Sequence, residues 1–268
     1  MLKGNGFALG ALALLVHAGP GQAEDSAELA KKALNPVAAM YSLPVQYNWD
    51  QKLGADDDGK RSVTNIQPVL PFSLNENWNL ISRTILPVID QHGLGGDANT
   101  SGVGDVTQSF FFSSKQPTAS GWILGVGPAL LIPTASNEVL SSEQWGSGPT
   151  AVALKQSNGW TRGILANHLW GLEGSPAVGK DKVNQTFMQP FLSYTNASLT
   201  TFGINSESTY DWQVKQWSVP VNLTVTQLFK IDGHPITVQV GPRYWLDSPD
   251  TGPQGWGFRF AVTLLFPR

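Results

Sequence analysis

Apolar and polar positions alternate with period two along most of the chain, most plainly at its C-terminal end. In Trp256-Gly257-Phe258-Arg259-Phe260-Ala261-Val262-Thr263-Leu264-Leu265-Phe266 every even position is large and apolar, whereas the odd ones are Gly, Arg, Ala, Thr and Leu. Side chains alternate across a strand, so this segment has one unbroken apolar face. Aromatics close both ends of that face, and Arg259 with two very small residues occupies the other. A membrane-spanning barrel strand needs this arrangement.

Eleven further segments show the same alternation bounded by turn residues. They are placed at Ala39–Trp49, Ser62–Ser73, Trp78–Ile89, Val103–Ser114, Gly121–Pro133, Ser147–Gln156, Trp160–Gly171, Asn184–Thr195, Leu199–Glu207, Trp217–Phe229 and Pro235–Leu246, ahead of Gly255–Phe266. The first, third, fifth and seventh connections (Asp50–Arg61, Asp90–Gly102, Thr134–Gly146, Leu172–Val183) are long. Those between them, such as Leu74-Asn75-Glu76-Asn77 and Ser157-Asn158-Gly159, are short. Long loops on one side and tight turns on the other predict an all-β, antiparallel, up-and-down transmembrane barrel of about twelve strands. An even count returns both termini to one side, and closure leaves no open edge in lipid. Pro44, Pro68, Pro87, Pro190, Pro220 and Pro242 fall within strands and predict bulges or strand ends, because each removes a ladder donor.

Ahead of the strands, Ser26–Leu34 reads as a short helix with a Ser start and a stop at Asn35-Pro36. It is expected either to plug a lumen or to lie in the periplasm. Residues 1–23 read as a secretory signal, with Lys3, an apolar run from Phe7 to Val16 and a small-residue site at Gly21-Gln22-Ala23. The expected organisation is a signal over 1–23, a helix over 24–36 and a barrel over 37–268.

Composition narrows the class. The 268 residues carry 17 Lys+Arg against 20 Asp+Glu, and only 14% are charged, so no nucleic-acid partner is implied. No apolar run beyond the N-terminus is long enough for a membrane helix. Zero Cys in an exported chain argues against a disulfide-stapled domain. A bacterial outer-membrane destination follows, with membrane lipid, the barrel assembly machinery and a small-molecule solute as expected partners and no cofactor.

If the small or polar face of each strand points inward, Arg83, Asp105, Thr107, Lys155, Gln185, Gln189, Arg243 and Arg259 line the interior. Charges of both signs facing a narrow lumen can pair across it or line a selective path. Trp78, Trp122, Trp160, Trp170, Trp217, Trp245 and Trp256 fall at strand ends, as interfacial girdles do. The seventh strand is ambiguous, because Arg162 and His168 share the parity of Trp160, Ile164 and Trp170. Asp56-Asp57-Asp58-Gly59 lacks the interleaved spacing and distal Glu of a calcium loop, so no metal site is expected. Of the histidines past the leader, His92 and His234 fall in connections and His168 mid-strand; none has a Ser motif or zinc-spaced partner, and no catalytic residues are assigned.

The last strand resembles the C-terminal assembly signal of bacterial outer-membrane barrels, departing from it in the Pro267-Arg268 that follows Phe266. Gly102-Val103-Gly104-Asp105-Val106, Leu131-Ile132-Pro133-Thr134, Trp145-Gly146-Ser147-Gly148-Pro149-Thr150-Ala151-Val152 and Ala166-Asn167-His168-Leu169-Trp170 resemble the outer-membrane proteins grouped as the meta-pathway of phenol degradation family. That resemblance implies a porin-like barrel and uptake of hydrophobic or aromatic compounds. It carries over no binding residues.

Overall fold

In lipid a strand satisfies its backbone only when both edges are paired, so a membrane sheet must close. The computed structural model describes residues 20–93, 99–172 and 181–267, and in it twelve antiparallel strands form one closed sheet. They are β1 (Tyr41–Leu53), β2 (Gly59–Ile66, continuing as Val69–Ser73), β3 (Trp78–His92), β4 (Thr100–Val103, continuing as Val106–Ser114), β5 (Trp122–Ile132) and β6 (Gly146–Ser157). The second half comprises β7 (Trp160–Gly171), β8 (Asn184–Thr195), β9 (Thr200–Ser206, continuing as Ser208–Asp211), β10 (Gln216–Ile231), β11 (His234–Asp247) and β12 (Gly255–Phe266). β12 closes on β1 in a register running from Tyr41 opposite Phe266 to Trp49 opposite Phe258.

Two connections differ from the sequence expectation. β1 continues to Leu53 and β2 begins at Gly59, so the first outer connection shrinks to residues 54–58. Asp50 and Arg61 are cross-strand neighbours on the inner face, which keeps the ladder going, and a bulge at Lys52 (φ 58°) follows. β9 likewise extends beyond Glu207 to Asp211. Its break at Glu207 has a specific cause. The register places Pro190 of β8 opposite Ser206 and Pro220 of β10 opposite Glu207, so ladder donors are missing on both sides. The prolines therefore interrupt the ladder without ending the sheet.

Large apolar residues stay exposed all round the outer face, among them Leu124, Val126, Ile164, Phe202, Leu223 and Phe258. Such a continuous band is what lipid covers. Aromatics bound it. Trp78, Trp122 and Trp160 stand at the end shared by the two termini, the last beside Tyr194 with ring centroids 5.0 Å apart. Trp170, Trp217 and Trp256 stand at the loop end, where Tyr210 bridges Trp212 and Trp217, and Tyr244 packs on Trp256.

The N-terminal helix α1 spans Pro20–Ala33, beginning earlier than the Ser26 expected; proline is well tolerated in a first helical turn. It stops before Asn35, whose side chain accepts from the Val37 amide, and Pro36. The signal assigned to residues 1–23 lies mostly outside the described residues. Ala30, Ala38 and Met40 pack with Leu228 of β10 and Leu265 of β12, so the helix and the turn after it occupy the terminus-end mouth of the barrel.

Candidate functional site

The interior is divided into two sectors. On the β3–β8 side inward residues are mostly apolar: Ile81, Phe111, Val152, Leu154 and Leu165 form a buried cluster with Val37 and Val69, joined by Ile123, Phe187 and Phe191. Apolar filling of half a lumen removes the rule that small or polar residues point inward. Lys155 shows the consequence. Val152 and Leu154 of β6 face in, so Lys155 faces out beside Trp122, and its ammonium donates to the Ser120 carbonyl at 2.8 Å, at the membrane edge. The seventh strand resolves the same way. Thr161, Leu165 and Leu169 are its buried inner positions, and Arg162 and His168 share the outer face with Trp160, Ile164 and Trp170.

The opposite sector holds the charges. Arg259 of β12 donates to the Asn48 side chain at 2.8 Å and grips Glu207 of β9 with Nη1 to Oε1 at 3.0 Å and Nη2 to Oε2 at 2.6 Å. Arg243 of β11 pairs with Asp50 (Nε to Oδ1, 3.0 Å) and reaches Glu207 at 3.6 Å. Gln189 of β8 donates to Glu207 at 3.4 Å. Arg83 of β3 donates to Gln67 at 2.8 Å and lies within the field of Glu207. β3 and β9 are six strands apart in a ring of twelve, so this set of side chains crosses the full diameter. The buried pairs of Arg243 and Arg259 with Asp50 and Glu207, with Arg83 opposite, narrow the lumen at one level.

Of the inner-face candidates, Arg83, Gln189, Arg243 and Arg259 converge here. Gln185 also faces in, nearer the loop end, and donates to Asp211 at 2.8 Å. Thr107 has inner-face parity between Ile85 and Leu131, away from the network. Asp105 has a different role. It is a loop anchor, accepting from the Ala135 amide, both Ser141 and Ser142 hydroxyls and the Ser142 amide, so it fastens outer loop 133–145 to the barrel rim. Trp245 departs from the girdle placement. It shares the inward parity of Arg243, donates Nε1 to Asp50 at 2.7 Å, and lies 4.7 Å beneath the Arg243 guanidinium.

Glu207 and Asp50 are the members that the strand pattern did not single out. Glu207 ends its predicted strand and Asp50 opens the connection after Trp49, and each carries the inward parity of its neighbours, Glu207 with Thr201 and Asn205, Asp50 with Asn48. The available signal is the alternation itself, read to its last residue at Glu207 and carried one residue past Trp49 to Asp50.

Space remains along the interior. A cavity of about 760 Å³ opens between α1 and the β6–β7 and β8–β9 turns, one of about 110 Å³ lies between Ala33 and the Thr226–Thr237 wall, and one of about 190 Å³ runs from Lys32 to Arg83. Among the described residues no cluster of metal-ligating side chains occurs.

A closed twelve-strand barrel with a lipid band, aromatic girdles and a polar, partly plugged lumen belongs to the class of outer-membrane β-barrels. The chain is similar to the COG4313 outer membrane channel from Pseudomonas putida F1, at 16% identity and a TM-score of 0.65 over 85% of this chain and 96% of that one. The β domain of the Bordetella autotransporter BrkA (13%, TM-score 0.46, 85% and 100%) and outer membrane phospholipase A from Escherichia coli (10%, 0.47, 85% and 92%) follow at lower likeness. A scan of protein-family models and a search of curated proteins found no match.

Proposed function

We propose that this chain is a narrow, passive outer-membrane channel for small solutes, with hydrophobic or aromatic ones favoured, as the resemblance to the meta-pathway of phenol degradation family implies. The observation that carries the reading is a lumen neither open nor solid. Cavities lead from the terminus-end mouth past α1 to a charged constriction that faces an apolar wall. A guest meets an apolar surface on one side and fixed charges on the other, and α1 restricts the mouth on what is then the periplasmic side. The chain is exported, assembled by the barrel machinery and lodged in lipid as a non-enzymatic protein. On the outer wall His168 sits 2.7 Å from the Thr186 hydroxyl and beside Trp170, but its Nε2 is buried with no hydrogen-bond partner among the described residues, so no carboxylate or amide orients it as a hydrolytic base.

Liposome swelling tests the proposal, with a sugar, an amino acid and benzoate applied to protein with and without residues 24–36. Slow permeation that quickens on truncation is expected. Absence of permeation in both forms overturns it. A second reading, a surface-binding barrel, is favoured by the ordering of loop 133–145 on Asp105; loss of a surface partner on deleting residues 134–146, with permeability unchanged, would select it.

A further inference from the structure

Among the described residues four arginines surround the constriction and two carboxylates answer them. Arg243 and Arg259 are paired with Asp50 and Glu207, whereas Arg61 and Arg83 make no ion pair among the described residues. Four positive groups against two negative ones leave two positive charges in excess at this level. Among the described residues the excess lies on the β2–β3 side: the Arg61 Nε is buried without a hydrogen-bond partner, and the Arg83 side chain donates to the neutral side chain of Gln67. A buried guanidinium with unfilled donors is a costly group that an anion relieves.

Arg83 also lines the 190 Å³ cavity between the constriction and the turn after α1. Among the described residues, the charged ones around that cavity are Arg83 at its inner end and Lys32 at its outer end, with no carboxylate in its lining. Lys32 is already paired with Glu28 at 2.6 Å on the helix surface, which leaves Arg83 as the charge in the lining that makes no direct ion pair among the described residues. Gln67 and Gln189 flank Arg83 with neutral donors and acceptors, while Leu34, Met40 and Val69 supply apolar wall. The volume lies below the roughly 300 Å³ at which sites for drug-sized ligands begin, so the guest is small.

We propose that this chamber is a binding site for a small monocarboxylate with an apolar body, benzoate being the simplest aromatic case. The carboxylate takes the Arg83 fork, whose planar donors match it in two-point geometry. The body lies against Leu34, Met40 and Val69. This specificity deepens the channel reading and rests on it for its physiological use, although the binding itself does not.

The test is titration of benzoate and of benzyl alcohol, alike in ring but anionic and neutral respectively, into the intact purified protein, monitored by saturation-transfer NMR. The same titrations follow on Arg83→Gln and Arg83→Lys, with folding checked by heat-modifiable gel migration. Wild type is expected to bind benzoate about tenfold or more tighter than benzyl alcohol, the scale of one charge-assisted hydrogen-bonded pair. Arg83→Gln is expected to lose that preference and Arg83→Lys to keep part of it. Equal affinity for the two compounds in wild type, or a benzoate preference unchanged by Arg83→Gln, overturns the site, and the wild-type comparison decides even if Arg83→Gln fails to fold. Benzoate binding without permeation in the swelling assay sinks the channel reading and leaves the site standing; permeation without benzoate preference does the reverse.

Discussion

Arg259 and Glu207 meet through two hydrogen bonds of 3.0 and 2.6 Å although they belong to strands three apart in the barrel wall. A contact between adjacent strands merely staples the sheet. This one spans a chord of the lumen, and Arg243 and Gln189 join it from two further strands. Barrel shape and lumen width are therefore tied to one carboxylate.

Glu207→Gln keeps the size of that side chain and removes its charge. Arg259 and Arg243 then lose their shared counter-ion, and breaking a buried pair from one side costs about 3 kcal/mol. The variant is expected to unfold at lower urea, read by loss of heat-modifiable migration, and to raise anion over cation permeability in planar bilayers. Unchanged urea resistance together with unchanged reversal potential would contradict the placement.

Deleting residues 24–36 removes most of α1 and the start of the turn that follows, and with them the Ala30 contact to Leu228 and Leu265. Conductance and sugar swelling are expected to rise severalfold. The barrel itself should persist, because each strand keeps both neighbours.

Trp245→Phe separates an inward tryptophan from a girdle one. It deletes the indole donor to Asp50 and should cost about 1–2 kcal/mol by leaving a buried carboxylate under-satisfied. Trp256→Phe, on the outer face at the loop end, should cost less than about 1 kcal/mol. The two urea midpoints, measured in the same lipid, check the difference.

Asp105→Ala releases the hydroxyl and amide donors of Ala135, Ser141 and Ser142. Loop 133–145 should then become a substrate for a glutamate-specific protease at Glu138 or Glu143, with cleavage at least several times faster than in wild type. Permeability to small solutes should change little, since Asp105 stands outside the constriction.

The strand pattern was legible because lipid imposes it: an outer face exposed to hydrocarbon must be apolar at every second residue, and β7, β8 and β12 match their sequence bounds to the residue. The interior was legible only in part. Arg83, Gln189, Arg243 and Arg259 carry the parity of their strands, yet the rule that a small, polar face lines the lumen sends Lys155 inward as well. In β6 the lumen face is Val152 and Leu154, packed on residues from other strands and from the segment after α1. Asp105 and Trp245 depart from the strand pattern for related reasons. A carboxylate at a strand mouth can turn to a loop as readily as to a lumen, and a terminal tryptophan turns inward when a buried acceptor is there to take its N–H.

By itself the sequence determined the period, the number of strands and the side on which long loops fall, since alternation and turn chemistry are properties of neighbouring residues. The tertiary structure decided which charges meet. Asp50 and Arg243 are 193 positions apart in the chain and 3.0 Å apart in space, and Glu207 reaches its partners from across the barrel. Closure of the ring, the filling of one sector by apolar side chains and the seating of α1 in the mouth leave one place where four arginines and two carboxylates must share a narrow space. No local pattern carries that information, because it arises only when strands distant in sequence face each other across the lumen.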